Sequence, residues 1–238
     1  MTAALERGDL DEAARQGSLA GPVVVEHALE SPARASKLAA IVAAPTVEDR
    51  AELLPALARA AASGDRRIAI PAAQAARTIA REVAHRELAD DLAADDVEQW
   101  RAAFETIARG GERFVEVRLA ALDTASSLAH VADPAALGFT LEVVLADRDP
   151  AVRAAAVALV PQPAAAALRA PLAAAVIDDA DAHVALVAAQ ALCADLAHDD
   201  PAPVLAALGP RGLERIRVVI GSERSPAARD AARCLKKK

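Results

Sequence analysis

Residues 145–159 read Leu145-Ala146-Asp147-Arg148-Asp149-Pro150-Ala151-Val152-Arg153-Ala154-Ala155-Ala156-Val157-Ala158-Leu159. An Asp-Pro pair divides the stretch. Asp149 suits the N-cap of a helix, and Pro150 suits its first position, where a backbone N–H has no intrahelical partner in any case. After the pair, Val152, Ala155, Ala156 and Leu159 fall on one helical face. Before it, Leu137, Leu141, Val144 and Leu145 mark another, opened at Asp133-Pro134 by the same device. Residues 133–160 therefore read as two antiparallel helices joined by a turn at Asp147-Arg148-Asp149-Pro150.

The second helix of this hairpin has relatives along the chain. Aligned on an alanine pair, they are Lys37-Leu38-Ala39-Ala40-Ile41, Ile70-Pro71-Ala72-Ala73-Gln74, Arg118-Leu119-Ala120-Ala121-Leu122, Arg153-Ala154-Ala155-Ala156-Val157, Leu186-Val187-Ala188-Ala189-Gln190 and Arg229-Asp230-Ala231-Ala232-Arg233. Their first residues lie 33, 48, 35, 33 and 43 positions apart. A recurrence of this length marks a repeat array in which each unit buries its apolar face only against its neighbours. The corresponding turns are Ser31-Pro32, Ser63-Gly64-Asp65, Gly110-Gly111-Glu112, Asp178-Asp179-Ala180-Asp181 and Ser225-Pro226. In the last repeat Ala228, Ala231, Ala232 and Leu235 take the core positions.

The stretch Leu145 to Leu159 resembles a HEAT repeat, of the subtype also found in phycobilisome lyase-like proteins. The likeness is close in this repeat and loose over most of the chain. Tetratricopeptide repeats share the period, but their large aromatic signature is missing. The resemblance implies an all-α, right-handed alpha-alpha superhelix, a HEAT-like solenoid of about six helical hairpins. The repeats are expected at approximately 18–45, 46–82, 95–131, 133–160, 163–197 and 201–236 of a single solenoid spanning 1–238, after a less regular N-terminal helix at roughly 2–16. An acidic insertion at 83–98 accounts for the longest spacing, and reads as a helix extension and a solvated loop. Val184-Ala185 and Ile70-Pro71 lack the arginine that regular arrays carry, so the ladder of stacked arginines and aspartates is expected to be broken. Pro55 and Pro171 fall inside expected first helices and should kink them.

Composition agrees with this class. Hydrophobic residues make up 54 % of the 238 but aromatics only 2 %, so the core must be alanine, leucine and valine. Alanine is the strongest helix former. Trp100 and Phe104 stand one helical turn apart, and with Phe114 and Phe139 they read as core. Cys193 and Cys234 fall on second helices of successive repeats. Such helices lie about 8–10 Å apart, beyond the ~7 Å limit for a bridge, so two reduced buried thiols are expected. The first seventeen residues, with Glu6, Asp9, Asp11 and Glu12, lack the basic start and apolar run of a leader. The longest uncharged run, Ala154 to Leu168, is 15 residues, short of a membrane span of ~20. A cytoplasmic location is expected; an extracytoplasmic one would need a leader removed ahead of Met1.

Chemistry-bearing patterns are sparse. The acid pairs Asp90-Asp91, Asp95-Asp96, Asp178-Asp179 with Asp181, and Asp199-Asp200 sit at helix starts or loops, where carboxylates cap amides. Of His27, His85, His130, His183 and His198, none stands at metal-ligand spacing, and His198 reads as the end of a helix. Gly110-Gly111 and Gly209-Pro210-Arg211-Gly212 read as loops without a preceding strand, not as phosphate cradles. No catalytic, cofactor or metal set is assembled.

Charge is uneven within a net of −7. From Asp123 to Asp200 there are eleven acids and three bases; from Pro201 to Lys238 there are nine bases and three acids. This asymmetry suggests electrostatic orientation of a partner. The reading is a non-enzymatic protein–protein interaction scaffold or adaptor with a protein or peptide partner. The candidate contacts are Lys37, Gln74, Arg118, Arg153, Gln190, Arg229 and Arg233, expected on a stripe of second helices, and Arg211, Arg215 and Arg217 at the basic end. Two alternatives follow from fold analogy. A HEAT-like DNA glycosylase for alkylated bases is disfavoured by the acidic charge and few aromatics. A phycobilin lyase-like role rests on the repeat subtype alone.

Overall fold

The computed structural model describes residues 3–4, 7, 9–85, 92–131, 133–161, 164–197 and 201–222. Among them the regular elements are all helical. The chain divides into two compact units, Met1–Ala135 and Ala136–Lys238.

In the N-terminal unit Ala3 and Ala4 are helical, and the first helix with defined bounds is α1 (Leu10–Ala20). The expected helix at 2–16 does not run unbroken, because Asp9 is the N-cap of α1: its carboxylate accepts the Glu12 N–H at 3.0 Å. Gly21 ends α1 with φ +80°, a conformation glycine adopts without a Cβ penalty. Pro22 then opens α2 (Pro22–Glu30), which is followed by α3 (Arg34–Ala43). Two 3-10 turns, Ala44–Thr46 and Arg50–Leu53, lead into α4 (Leu54–Ala61) and α5 (Arg66–His85). The third hairpin is α6 (Ala94–Arg109) and α7 (Val115–Val131). The first helices α2, α4 and α6 pack in succession, as do the second helices α3, α5 and α7, and α1 covers α3.

A 3-10 turn, Pro134–Leu137, spans the boundary, and the C-terminal unit continues with α8 (Gly138–Leu145) and α9 (Pro150–Ala158). Next come α10 (Ala166–Asp178), α11 (Ala182–Ala197) and α12 (Ala202–Ser222). Within this unit α8, α10 and α12 lie side by side, α9 packs on α11, and α12 also touches α11.

The alanine pairs do what their recurrence implies. Ala39-Ala40, Ala72-Ala73, Ala120-Ala121 and Ala188-Ala189 are all buried. Side chains this small let helices approach closely, and Leu57, Ile79, Leu122, Leu128, Leu172 and Leu192 are fully buried as well. In α9 the stripe is narrower: Val152 and Ala156 are buried, while Ala155 and Leu159 are half-buried. Within its unit α9 packs on α11. The pair Ala231-Ala232, with Ala228 and Leu235, lies outside the described residues.

Several expectations change. Pro55 is not interior: it is the second residue of α4, after a 3-10 turn, so it needs no broken bond. Pro171 is inside α10, and Pro71 inside α5. Gly209 to Gly212 is not a loop. Gly209, at φ +57°, breaks α12, and Pro210 restarts the helix at once. Phe139 is not core but 62 % exposed, whereas Trp100 and Phe104 are buried. The 83–98 insertion is helical at both ends, through His85 and from Ala94, and Asp95 and Asp96 occupy the first turn of α6.

Cys193 is disulfide-bonded. The expectation of reduced thiols treated an axis separation as a Cα separation. Each Cα stands about 2.3 Å off its helix axis, so facing Cα atoms of adjacent helices come within bridging range. The chain's other cysteine, Cys234, lies outside the described residues.

Candidate interaction surface

Antiparallel hairpins place the turns inside each hairpin on one edge of a unit. Four of the turns share one hydrogen-bonding scheme, in which a small polar side chain accepts the N–H two residues ahead. Ser31 Oγ accepts from Ala33 N at 3.2 Å, and Ser63 Oγ from Asp65 N at 3.1 Å. Asp147 Oδ1 accepts from Asp149 N, and Asp179 Oδ1 from Asp181 N, both at 2.8 Å. The next acid repeats the step and caps the following helix. Asp65 Oδ1 accepts from Arg67 N at 3.0 Å, Asp149 Oδ1 from Ala151 N at 2.9 Å, and Asp181 Oδ1 from His183 N at 2.9 Å.

Arginines tie successive turns together within each unit: Arg34 and Arg66, outside the aligned positions, in the N-terminal unit, and the aligned Arg153 in the C-terminal unit. In the N-terminal unit Arg34 Nη2 meets Asp65 Oδ2 at 2.5 Å, and Arg66 Nη2 meets Glu116 Oε1 at 2.5 Å. The Arg66 guanidinium also stands 5.9 Å from the centre of the Phe114 ring. Arg113 Nη1 donates to the Ala62 carbonyl at 2.7 Å, linking the third turn to the second. In the C-terminal unit Arg153 spans to Asp179, with Nε–Oδ2 at 2.7 Å and Nη2–Oδ1 at 2.8 Å. These contacts hold the carboxyls below their ordinary range. For Asp65 the main cause is the Arg67 N–H, with Arg34 adding to it. For Glu116 it is its own backbone N–H, then Arg66; for Asp179 it is the Arg153 guanidinium.

The second-helix stripe expected from the alignment is not evenly exposed. It combined two repeat positions four residues apart, one helical turn along the same face, and burial differs between them. Two residues before the alanine pair, Lys37 is half-buried and Arg118 is 0 % exposed. Arg118 Nε donates to the Ala108 carbonyl at 3.2 Å, in the last turn of α6, where helix carbonyls lack partners and a cation is favoured. Arg153 has a 15 % exposed side chain and is committed to Asp179. At the position after the pair, Gln74 is exposed and Gln190 half-buried. Between α5 and α7 the surface is closed by Arg77 and Arg81, both paired with Asp123.

At the basic end Arg211 and Arg217 are exposed on α12, the latter 3.3 Å from Glu214. Arg215 is half-buried. Arg229 and Arg233 lie outside the described residues, as do Asp90-Asp91, His198 and Asp199-Asp200.

Sequence reasoning missed Arg34, Arg66 and Arg67. A signal was there. All three begin helices, Arg34 in α3 and the others in α5, where a cation opposes the helix dipole and calls for a compensating acid. Besides this edge, an open depression of about 330 Å3 is lined by His27, Glu30, Ser31, Pro32 and Ser36. Among the described residues no group of histidine, cysteine and acidic side chains could hold a metal ion. No described helix is long and apolar enough to cross a membrane.

No protein-family model matches the chain, and no curated protein matches it. Solved structures do. One, described as the structural basis of microtubule plus end tracking by XMAP215, CLIP-170 and EB1, matches 91 % of this chain and 90 % of its own. The TM-score is 0.54 at 14 % identity, a likeness of fold. It is a HEAT-repeat structure, and with the hairpins described above it establishes an all-α HEAT-like solenoid fold.

Proposed function

We propose that this chain is a non-enzymatic protein-interaction module. The observation that supports the reading is the tied row of turns. Arg34–Asp65 and Arg66–Glu116 join consecutive hairpin turns into one continuous polar edge in the N-terminal unit. Such an edge offers extended contact in place of a closed pocket, which suits a macromolecular partner better than a small substrate. The fold likeness to a structure concerned with microtubule plus end tracking agrees with a protein partner. The exposed Arg211 and Arg217 on α12 are a second candidate contact. The bilin-handling alternative has the likeness of residues 145–159 as its sole support, and the glycosylase alternative lacks a basic groove in a chain of net charge −7.

The reading is tested by capture. The purified chain, immobilised, should retain a partner that rebinds stoichiometrically when that partner is purified in turn. Replacing Arg211 and Arg217 by glutamate should weaken rebinding if the basic end contributes, and more so at low salt, since exposed charges are screened over ~10 Å at 0.1 M. Turnover of a defined substrate that disappears with one named side chain would overturn the reading.

A further inference from the structure

We propose that the turn edge of the N-terminal unit recognises an acidic segment of the partner protein, with Arg34, Arg66 and Arg67 contacting its carboxylates. This rests on the interaction-module reading and names the chemistry of its partner.

The argument is a count of donors. An arginine carries a fork of five N–H groups that matches a carboxylate in bidentate geometry. Arg34 and Arg66 each give one nitrogen, Nη2, to a protein acceptor. Nε and Nη1 of both remain available, and the side chains are 48 % and 63 % exposed. Arg67 is exposed, and among the described residues its side chain makes no ion pair. All three gather at one place, because Arg34 is bonded to Asp65 and Arg66 and Arg67 follow Asp65 in sequence.

The C-terminal unit provides the contrast. Its ladder arginine, Arg153, gives Nε and Nη2 to Asp179 and Nη1 to the Asp147 carbonyl, and is mostly buried. That arginine is consumed by the fold, whereas Arg34 and Arg66 are only anchored by it. Anchoring matters for binding. A side chain already held by one bond, and in Arg66 also by the Phe114 ring, loses less rotamer freedom when a ligand arrives. Arginine is one of the residue types enriched among the side chains that dominate protein interfaces.

Carboxylates fit this edge better than a polyphosphate. Asp65 and Glu116 stand among the arginines, and Glu112 is exposed in the neighbouring turn. Spaced side-chain carboxylates can meet the free donors while avoiding these acids, but a dense phosphate backbone cannot. Phe114 lies beneath Arg66, so it is not free to stack on a base.

The test uses the full chain and a fluorescein-labelled octaglutamate peptide, followed by anisotropy at low and at physiological salt. The wild type should bind, more weakly as salt rises. Arg66→Ala with Arg67→Ala should weaken binding about tenfold, the size expected from two exposed ion contacts. Arg67→Ala alone, which removes no side-chain hydrogen bond or ion pair to the described residues, should weaken it measurably with an unchanged circular dichroism spectrum. Arg148→Ala, an exposed arginine on the turn edge of the C-terminal unit, should leave binding unchanged. Failure of the wild type to bind, an equal loss in Arg148→Ala, or tighter binding of a single-stranded RNA octamer would overturn the proposal. None of these results would touch the interaction-module reading, which stands or falls on capture and rebinding of a partner.

Discussion

Arg153 holds both carboxylate oxygens of Asp179, at 2.7 and 2.8 Å, and so joins the turn of one hairpin to the turn of the next. Its remaining Nη1 donates to the Asp147 carbonyl in its own turn, 2.7 Å away. One side chain therefore sets the spacing between two repeats of the C-terminal unit.

Removing either partner leaves the other charge poorly compensated in a largely desolvated place, a change that typically costs about 3 kcal/mol or more. Asp179→Ala and Arg153→Ala should each lower the urea midpoint strongly. The double substitution should cost less than their sum, because the second change no longer strands a charge. Arg153→Lys should behave nearly as badly as Arg153→Ala, since an ammonium cannot supply the parallel pair of bonds. Additive losses, or full rescue by lysine, would show that the pair does not act as a fork.

The alanine positions give a packing test. Ala156 is 0 % exposed, and Ala154 is half-buried. Ala156→Leu forces three extra carbons into a closed contact, and overpacking of this kind usually costs about 1–3 kcal/mol. Ala154→Leu has solvent on one side and should cost clearly less. The comparison is read as the difference in thermal midpoint between the two variants, and equal shifts would contradict the facing of α9.

The fold was legible because the features that determine it are local. Asp149-Pro150 announces a helix start from two residues, and it is one: Asp149 caps α9 and Pro150 is its first residue. Alanine pairs announce close helix contacts by their size alone. The ladder was not legible in the same way. Arg118, Arg153 and Lys37 share one place in the repeat alignment, yet they are respectively buried on the Ala108 carbonyl, paired with Asp179, and half-buried. A long side chain chooses among acceptors several residues away on other elements, and an alignment of short repeats does not contain those acceptors. The break at Gly209 was hidden for a related reason. Gly-Pro reads as a loop, but a single left-handed glycine can break a helix that resumes at the next residue.

Arg118 offers a way to separate structural from binding arginines. It is fully buried, with Nε on the Ala108 carbonyl at the end of α6. Arg118→Ala should open a cavity and strand that carbonyl, a loss of about 3 kcal/mol or more. Arg118→Met keeps much of the volume without the charge and should recover part of the loss. In both variants any change in partner binding should follow the fraction folded and nothing else. A variant that is fully folded yet cannot bind would return Arg118 to the interface.

Acid should loosen the molecule in a way that names its carboxyls. Arg153 holds Asp179 below the ordinary aspartate range, and Asp65 and Glu116 are depressed in the same direction. Glu12 falls from an ordinary 4.5 to about 2, through its bonds to Arg15 and then Gln16. For each group the folded state holds its proton less tightly than the unfolded chain does. The stabilisation is therefore complete above the unfolded values near pH 4 and is lost as pH falls through the folded ones. Urea midpoints should be level from about pH 7 to 5 and drop steeply below about pH 4. Asp179→Asn cannot take part in this loss. It should start lower at neutral pH and fall less steeply on acidification, closing on the wild type as the pH falls through the depressed range of Asp179 in the folded state, below which both side chains are neutral. The Glu12 contribution belongs to an exposed pair on α1 and should fade with added salt. The Asp179 contribution, 7 % exposed, should persist at the same salt. Parallel acid curves for wild type and Asp179→Asn would mean that Arg153 draws no stability from the charge on Asp179.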